Sequence, residues 1–117
     1  MILHCMLKSD WEKVEHEKYW GQKNIEADGF IHCSPVRYFW RVAGNFDAVK
    51  EDMVLLMIDE DILKSEVRYE DGDNVGRAYP HVYGLINNDA VKQVLPFLRN
   101  SDGRWKKNPE LMSIQDE

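Results

Sequence analysis

Apolar residues fall along this chain in two rhythms. Short, nearly unbroken runs occupy residues 2–7 (ILHCML), 30–33 (FIHC) and 53–58 (MVLLMI), each bounded by turn-forming or charged residues. Runs of that length and polarity form buried strands, and the wholly apolar 53–58 predicts a central strand covered on both faces. A helical rhythm follows Ser34-Pro35, where Val36, Phe39, Trp40 and Ala43 repeat at i, i+3, i+4 and i+7. Ser at the N-cap, Pro at the first helical position and Gly44 as a stop complete that prediction. A first helix is expected over about residues 11–19, capped by Ser9 or Asp10, with Trp11 and Val14 inward and Glu12, Glu15 and His16 solvated. Further strands are expected at 67–70, 80–84 and 93–98, with one helical turn at 59–64 and another after Asn87 or Asn88. Ser101-Asp102-Gly103 should turn a hairpin into 104–106. Short strands with two or three short helices predict an α+β fold on a curved, split, mostly antiparallel sheet.

At 117 residues, with 44% hydrophobic and 11% aromatic residues, the chain can build one core. Residues 1–111 are expected to form a single domain and 112–117 a frayed tail. The net charge of -6 and the dispersion of the 15 Lys and Arg exclude nucleic acid as a primary partner. No apolar stretch is long enough for a membrane span, and the first residues lack a secretory pattern, so a cytoplasmic protein is expected. Cys5 and Cys33 show no C-x-x-C spacing and read as free, buried thiols in a reducing compartment.

Chemistry is concentrated at strand ends. The dipeptide His-Cys occurs at 4–5 and at 32–33. Because side chains alternate along a strand, His4 and His32 should line a cleft while Cys5 and Cys33 enter the core. Glu70 closes a strand and His81 opens one, so the candidate catalytic set is His4, His32, Glu70 and His81. Ser34 at a helix start, with Arg37 and Arg41 on one helical face, suggests an anion subsite beside His32. The loop 70–76 lacks a calcium-binding pattern, and no His-x-His or His-x3-His spacing fixes two zinc ligands on one element, so no metal is expected.

The blocks Gly29-Phe30-Ile31-His32-Cys33-Ser34, Val54 to Asp59, Val67-Arg68-Tyr69-Glu70 and Tyr79-Pro80-His81-Val82-Tyr83-Gly84 together resemble the bacterial domain-of-unknown-function-952 family. The resemblance runs from Ile2 to about Pro109 and includes Trp11, residues 87–91 and the Asp102-Gly103 turn. The chain departs from the family pattern at Tyr38, Leu85 and Trp20, where glutamine, proline and tyrosine are usual. That family is similar to the ADP-ribosyltransferase fold, in which a split antiparallel sheet grips NAD. The resemblance implies that His4 orients ribose hydroxyls, that His32 lies near the nicotinamide and that Glu70 or His81 completes the site. Ser34, Arg37, Tyr83 and Trp11 join the residues expected to contact NAD or another nucleotide-like or anionic small molecule. Three alternatives stand beside a transferase or glycohydrolase: a non-catalytic module for a small ligand or peptide, a zinc enzyme, and a domain acting through a protein partner.

Overall fold

The computed structural model describes residues 1–117. In chain order the strands are β1 (Ile2–Leu7), β2 (Tyr19–Trp20), β3 (Ile31–His32), β4 (Ser34–Pro35), β5 (Met53–Ile58), β6 (Glu66–Glu70), β7 (Tyr79–Tyr83), β8 (Ile86–Asn87), β9 (Val91–Pro96), β10 (Leu98–Arg99) and β11 (Trp105–Lys106). The helices are α1 (Lys8–Val14), α2 (Gln22–Asp28) and α3 (Val36–Val42), and the fold is α+β. All strand pairings are antiparallel.

The apolar run at 53–58 becomes β5, paired by β1 on one side and β9 on the other within a four-stranded sheet of order β4-β1-β5-β9. Alternation sends Val54, Leu56 and Ile58 into one core and Met53 and Leu55 into a second. The first core is shared with a separate three-stranded sheet, β3-β7-β6, through Ile31 and Val82. Trp11 and Trp20 complete it. The second core lies under α3, where Val36, Phe39 and Ala43 pack with Leu3, Leu95 and Phe97. Thus the helical stripe read from the sequence is the buried one, although the chain does not stop at Gly44 but continues as a 3-10 turn over Ala43–Phe46.

Two helix starts differ from the sequence reading. The first helix occupies Lys8–Val14, capped by the backbone of Leu7 without a side-chain bond, not about 11–19. Its early start follows from a bond of the Lys8 N–H to the Asp52 carbonyl directly after β1. Its early end follows from β2, because Tyr19 and Trp20 must pair with Asn87 and Ile86. The Asn88 side-chain amide then donates to the Val14 and Glu17 carbonyls, satisfying groups that the helix leaves free. The second difference is Ser34, which is no N-cap: it lies in β4, its hydroxyl bonds the Pro35 carbonyl, and Pro35 itself precedes α3. Pairing of Leu3 with Ser34 holds that residue extended.

Helix α2 and strand β2 were not read from the sequence. Gly21 opens α2 at φ +116° with its α-carbon against Ile31, and a side chain there would overlap the Ile31 methyl. That close approach seats β3 on the first core. Residues 31–35 then cross from the three-stranded to the four-stranded sheet, since β3 pairs β7 while β4 pairs β1, with the Cys33 N–H bonded to the Pro80 carbonyl. A cleft opens at this crossing. Residues 112–117 lie back on the body: Lys107 reaches Asp116 and the Ile114 carbonyl, and the Glu117 N–H bonds the Arg37 carbonyl. No helix is long and apolar enough to cross a membrane.

Candidate functional site

The outer face of the three-stranded sheet is built by strand alternation. Ile31, Val82 and Val67 point toward the first core, so Phe30 and His32, then Tyr79, His81 and Tyr83, then Glu66, Arg68 and Glu70 share the opposite face. Register places His32 directly beside His81, and His81 beside Arg68. The result is an aromatic and imidazole wall. Phe30 stacks on His81 with ring centroids 4.1 Å apart and an interplanar angle of 23°, and lies 4.6 Å from His32 and 5.3 Å from Tyr83.

Glu70 anchors this wall. Its Oε1 accepts both the His81 Nδ1–H at 2.8 Å and the Tyr83 hydroxyl at 2.5 Å, leaving Oε2 free of protein partners. These bonds, the Tyr83 hydroxyl first, hold the Glu70 carboxyl below the usual carboxylate range, and the same carboxylate pushes the Tyr83 phenol up. Arg68 sits 4.3 Å over the Tyr83 ring and forms a two-point bond with Glu66, so its charge is spent at the outer edge of the sheet.

His4 enters from the other sheet. It is 6% exposed, its ring lies 5.3 Å from that of Trp20, and its Nδ1–H donates to the His32 backbone carbonyl at 2.6 Å. Burial lowers its pKa to about 4, so the ring is neutral at pH 7. The carbonyl fixes the proton on Nδ1, and Nε2 is left as an acceptor.

A cleft of about 640 Å³ brings His4, His32, Glu70 and His81 together, with Phe30, Cys33 and Ser34 on its wall. Asn24, Asn45 and Phe46 line another side, and Asp71, Asp73 and Val75 form a lip. That lip is held by the Asp71 carboxylate, which accepts the Val75 and Gly76 N–H groups and is acidified by them. No Lys or Arg lines the cleft. Arg37 lies over Tyr38 and beside the Glu117 carboxylate, Arg41 bonds the Glu117 carbonyl, and neither faces the cleft. The anion subsite expected from Ser34, Arg37 and Arg41 is therefore not assembled: the Ser34 hydroxyl is turned to its own neighbour's carbonyl, and the arginines occupy the face of α3 that the tail covers. Trp11 is buried in the first core, edge-on to Trp20 and away from the cleft lining. Tyr83 meets the site through Glu70 rather than by lining it.

The expected separation of histidines from thiols is incomplete at both dipeptides: half-buried Cys5 packs against the second core and buried Cys33 lies in the first, yet both also line the cleft. Phase along one strand does not carry to a strand in another sheet. Burial pushes the Cys5 thiol up to about 12 and the Cys33 thiol higher, so neither is a thiolate at neutral pH. No three of the His, Cys, Asp and Glu side chains converge as a metal-holding group.

The sequence reading missed Phe30 as the centre of the ring cluster, and Asp71, Asp73 and Tyr79 as lining residues. The signal for two of them was present, since Phe30 is two residues from His32 and Tyr79 two from His81, hence on the same faces.

The fold has solved counterparts. The crystal structure of Protein CC0527 from Caulobacter crescentus superposes with a TM-score of 0.80 at 21% identity, covering 95% of this chain and 97% of that one. The solution structure of CC0527 gives 0.71 at 22% identity over 87% and 88%. Likeness at this level of identity concerns the fold. No curated protein matches the chain. The family model "Protein of unknown function (DUF952)" matches residues 5–94, which include His32, Glu70 and His81, and the chain belongs to that family.

Proposed function

We propose that the cleft binds the nicotinamide-ribose half of NAD and splits its glycosidic bond, as an enzyme of ADP-ribosyltransferase type. The observation that carries this reading is an ionised carboxylate, Glu70, set in a wall of rings in a cleft without Lys or Arg. A cationic, planar ring is the ligand such a wall favours, by attraction to ring faces and to the carboxylate together. The nicotinamide of NAD is a pyridinium and meets both demands, while the diphosphate finds no cation among the lining residues and stays toward solvent.

Each residue then has a task that its geometry supports. His4, neutral with Nε2 as acceptor, takes a hydrogen bond from a ribose hydroxyl. His32 and Phe30 form the surface against the leaving base. Glu70 presents Oε2 where positive charge develops at the ribose carbon, and a preorganised carboxylate there lowers the barrier without reorganising.

Calorimetric titration tests the reading. NAD should bind with Kd between about 1 µM and 1 mM, and ADP-ribose, which keeps the ribose but lacks the cationic ring, should bind more weakly. Binding of neither would overturn it in favour of a module for another ligand.

A further inference from the structure

We propose that His81 is the general base of this site and that the nucleophile it activates is water, which makes the reaction a hydrolysis. The inference rests on the reading that NAD is bound and split, and adds to it the proton acceptor and the acceptor molecule.

The geometry around His81 differs from that of the other histidines. Its Nδ1–H is held by Glu70 Oε1 at 2.8 Å, and its plane is held by Phe30 at 4.1 Å and 23°. A ring fixed both at one edge and across its face has one orientation, with Nε2 carrying the lone pair. A carboxylate behind an imidazole also stabilises the imidazolium that forms when Nε2 takes a proton. His4 lacks this support, because its partner is a neutral carbonyl and its burial opposes protonation. His32 has Asp28 3.6 Å from its Nε2 but is largely exposed, with no ring stacked as closely on it as Phe30 is on His81. Glu70 serves two roles through different oxygens: Oε1 orients His81, and Oε2 remains for the substrate.

The nucleophile comes from outside the chain. Ser34, the one serine lining the cleft, is buried with its proton donated to the Pro35 carbonyl. Cys5 and Cys33 are held as thiols by burial. Water is small enough to reach His81, whose side chain keeps 13% of its exposure behind the lip formed by Asp71, Asp73 and Val75. In the step, a water oxygen bonds the ribose carbon as its proton passes to His81 Nε2. The carbon–nitrogen bond breaks with its electron pair going to the pyridinium nitrogen, so nicotinamide leaves neutral. The products are ADP-ribose, nicotinamide and one proton, released when His81 returns to its neutral form.

The full chain incubated with NAD in heavy-oxygen water should yield ADP-ribose labelled at the anomeric hydroxyl. His81→Gln should cut turnover by about 100-fold or more, a far larger loss than any it causes in NAD affinity. A readout without substrate is the imidazole nitrogen spectrum of the free chain, which should show His81 protonated on Nδ1, a preference that Glu70→Gln weakens. NAD binding with a turnover indifferent to His81→Gln overturns the base assignment and leaves the NAD reading standing. Binding with transfer to a protein acceptor and no labelled product overturns water as nucleophile. Absence of NAD binding overturns both.

Discussion

The same dipeptide, His-Cys, stands in the middle of β1 and at the end of β3, and meets two opposite fates. In β1, His4 lies in the four-stranded sheet with Leu56 opposite it in register, is all but buried, and spends Nδ1 on a backbone carbonyl. In β3, His32 lies in the three-stranded sheet, keeps 63% of its side-chain exposure and faces rings and carboxylates. The difference comes from the sheets. The four-stranded sheet is covered on both faces by the two cores, so a polar residue in it must be neutral and bonded. The three-stranded sheet has one apolar face and one open face, which can carry charge at little cost. The cleft lies where the open face of the second meets the first.

The largest effect that would sharpen this contrast is the pH dependence of stability carried by His4. Its folded-state pKa, about 4, is depressed below the unfolded value near 6.5. The unfolded chain therefore takes the proton first as pH falls. The stabilising contribution is full above about pH 6.5 and is lost between there and pH 4, amounting to up to about 3 kcal/mol. Urea unfolding of wild type and His4→Asn at pH 7.5 and 4.5 checks it, since the variant should lose much less on acidification. Equal losses would mean that His4 is not the buried neutral group described here.

A smaller effect on stability is expected at the other dipeptide. His32→Ala should cost less than about 1 kcal/mol, as an exposed side chain without a buried partner, yet weaken NAD binding by about 10-fold. The pair of measurements breaks the comparison if His32→Ala unfolds the chain as readily as a core truncation does.

Much of the fold was legible because it rests on local pattern. The run at 53–58 could only be a strand buried on both faces, and the stripe of Val36, Phe39 and Ala43 could only be a helix against a core. The turn at Asp102-Gly103 also falls where the residue types require. What could not be read depends on distant partners. Helix α1 ends where it does because Asn88, 74 residues beyond Val14, caps it, and Ser34 is a strand residue because Leu3 pairs with it. The four candidate catalytic residues were placed in one cleft by topology, but the phase of Cys33 depends on which sheet its strand joins. The arginines of α3 turn away from the cleft because Glu117 of the tail supplies a carboxylate and a carbonyl that no helical pattern foretells.

The central claim is that His4, His32 and His81 form one NAD-responsive site, and the chain carries its own control in His16, which projects from the surface near Glu15. Imidazole nitrogen and carbon signals of all four histidines can be followed together while NAD is added. The account predicts that the signals of His4, His32 and His81 move along one binding curve while His16 stays in place. Movement of His16 alone, or of none of the four at millimolar NAD, would contradict it.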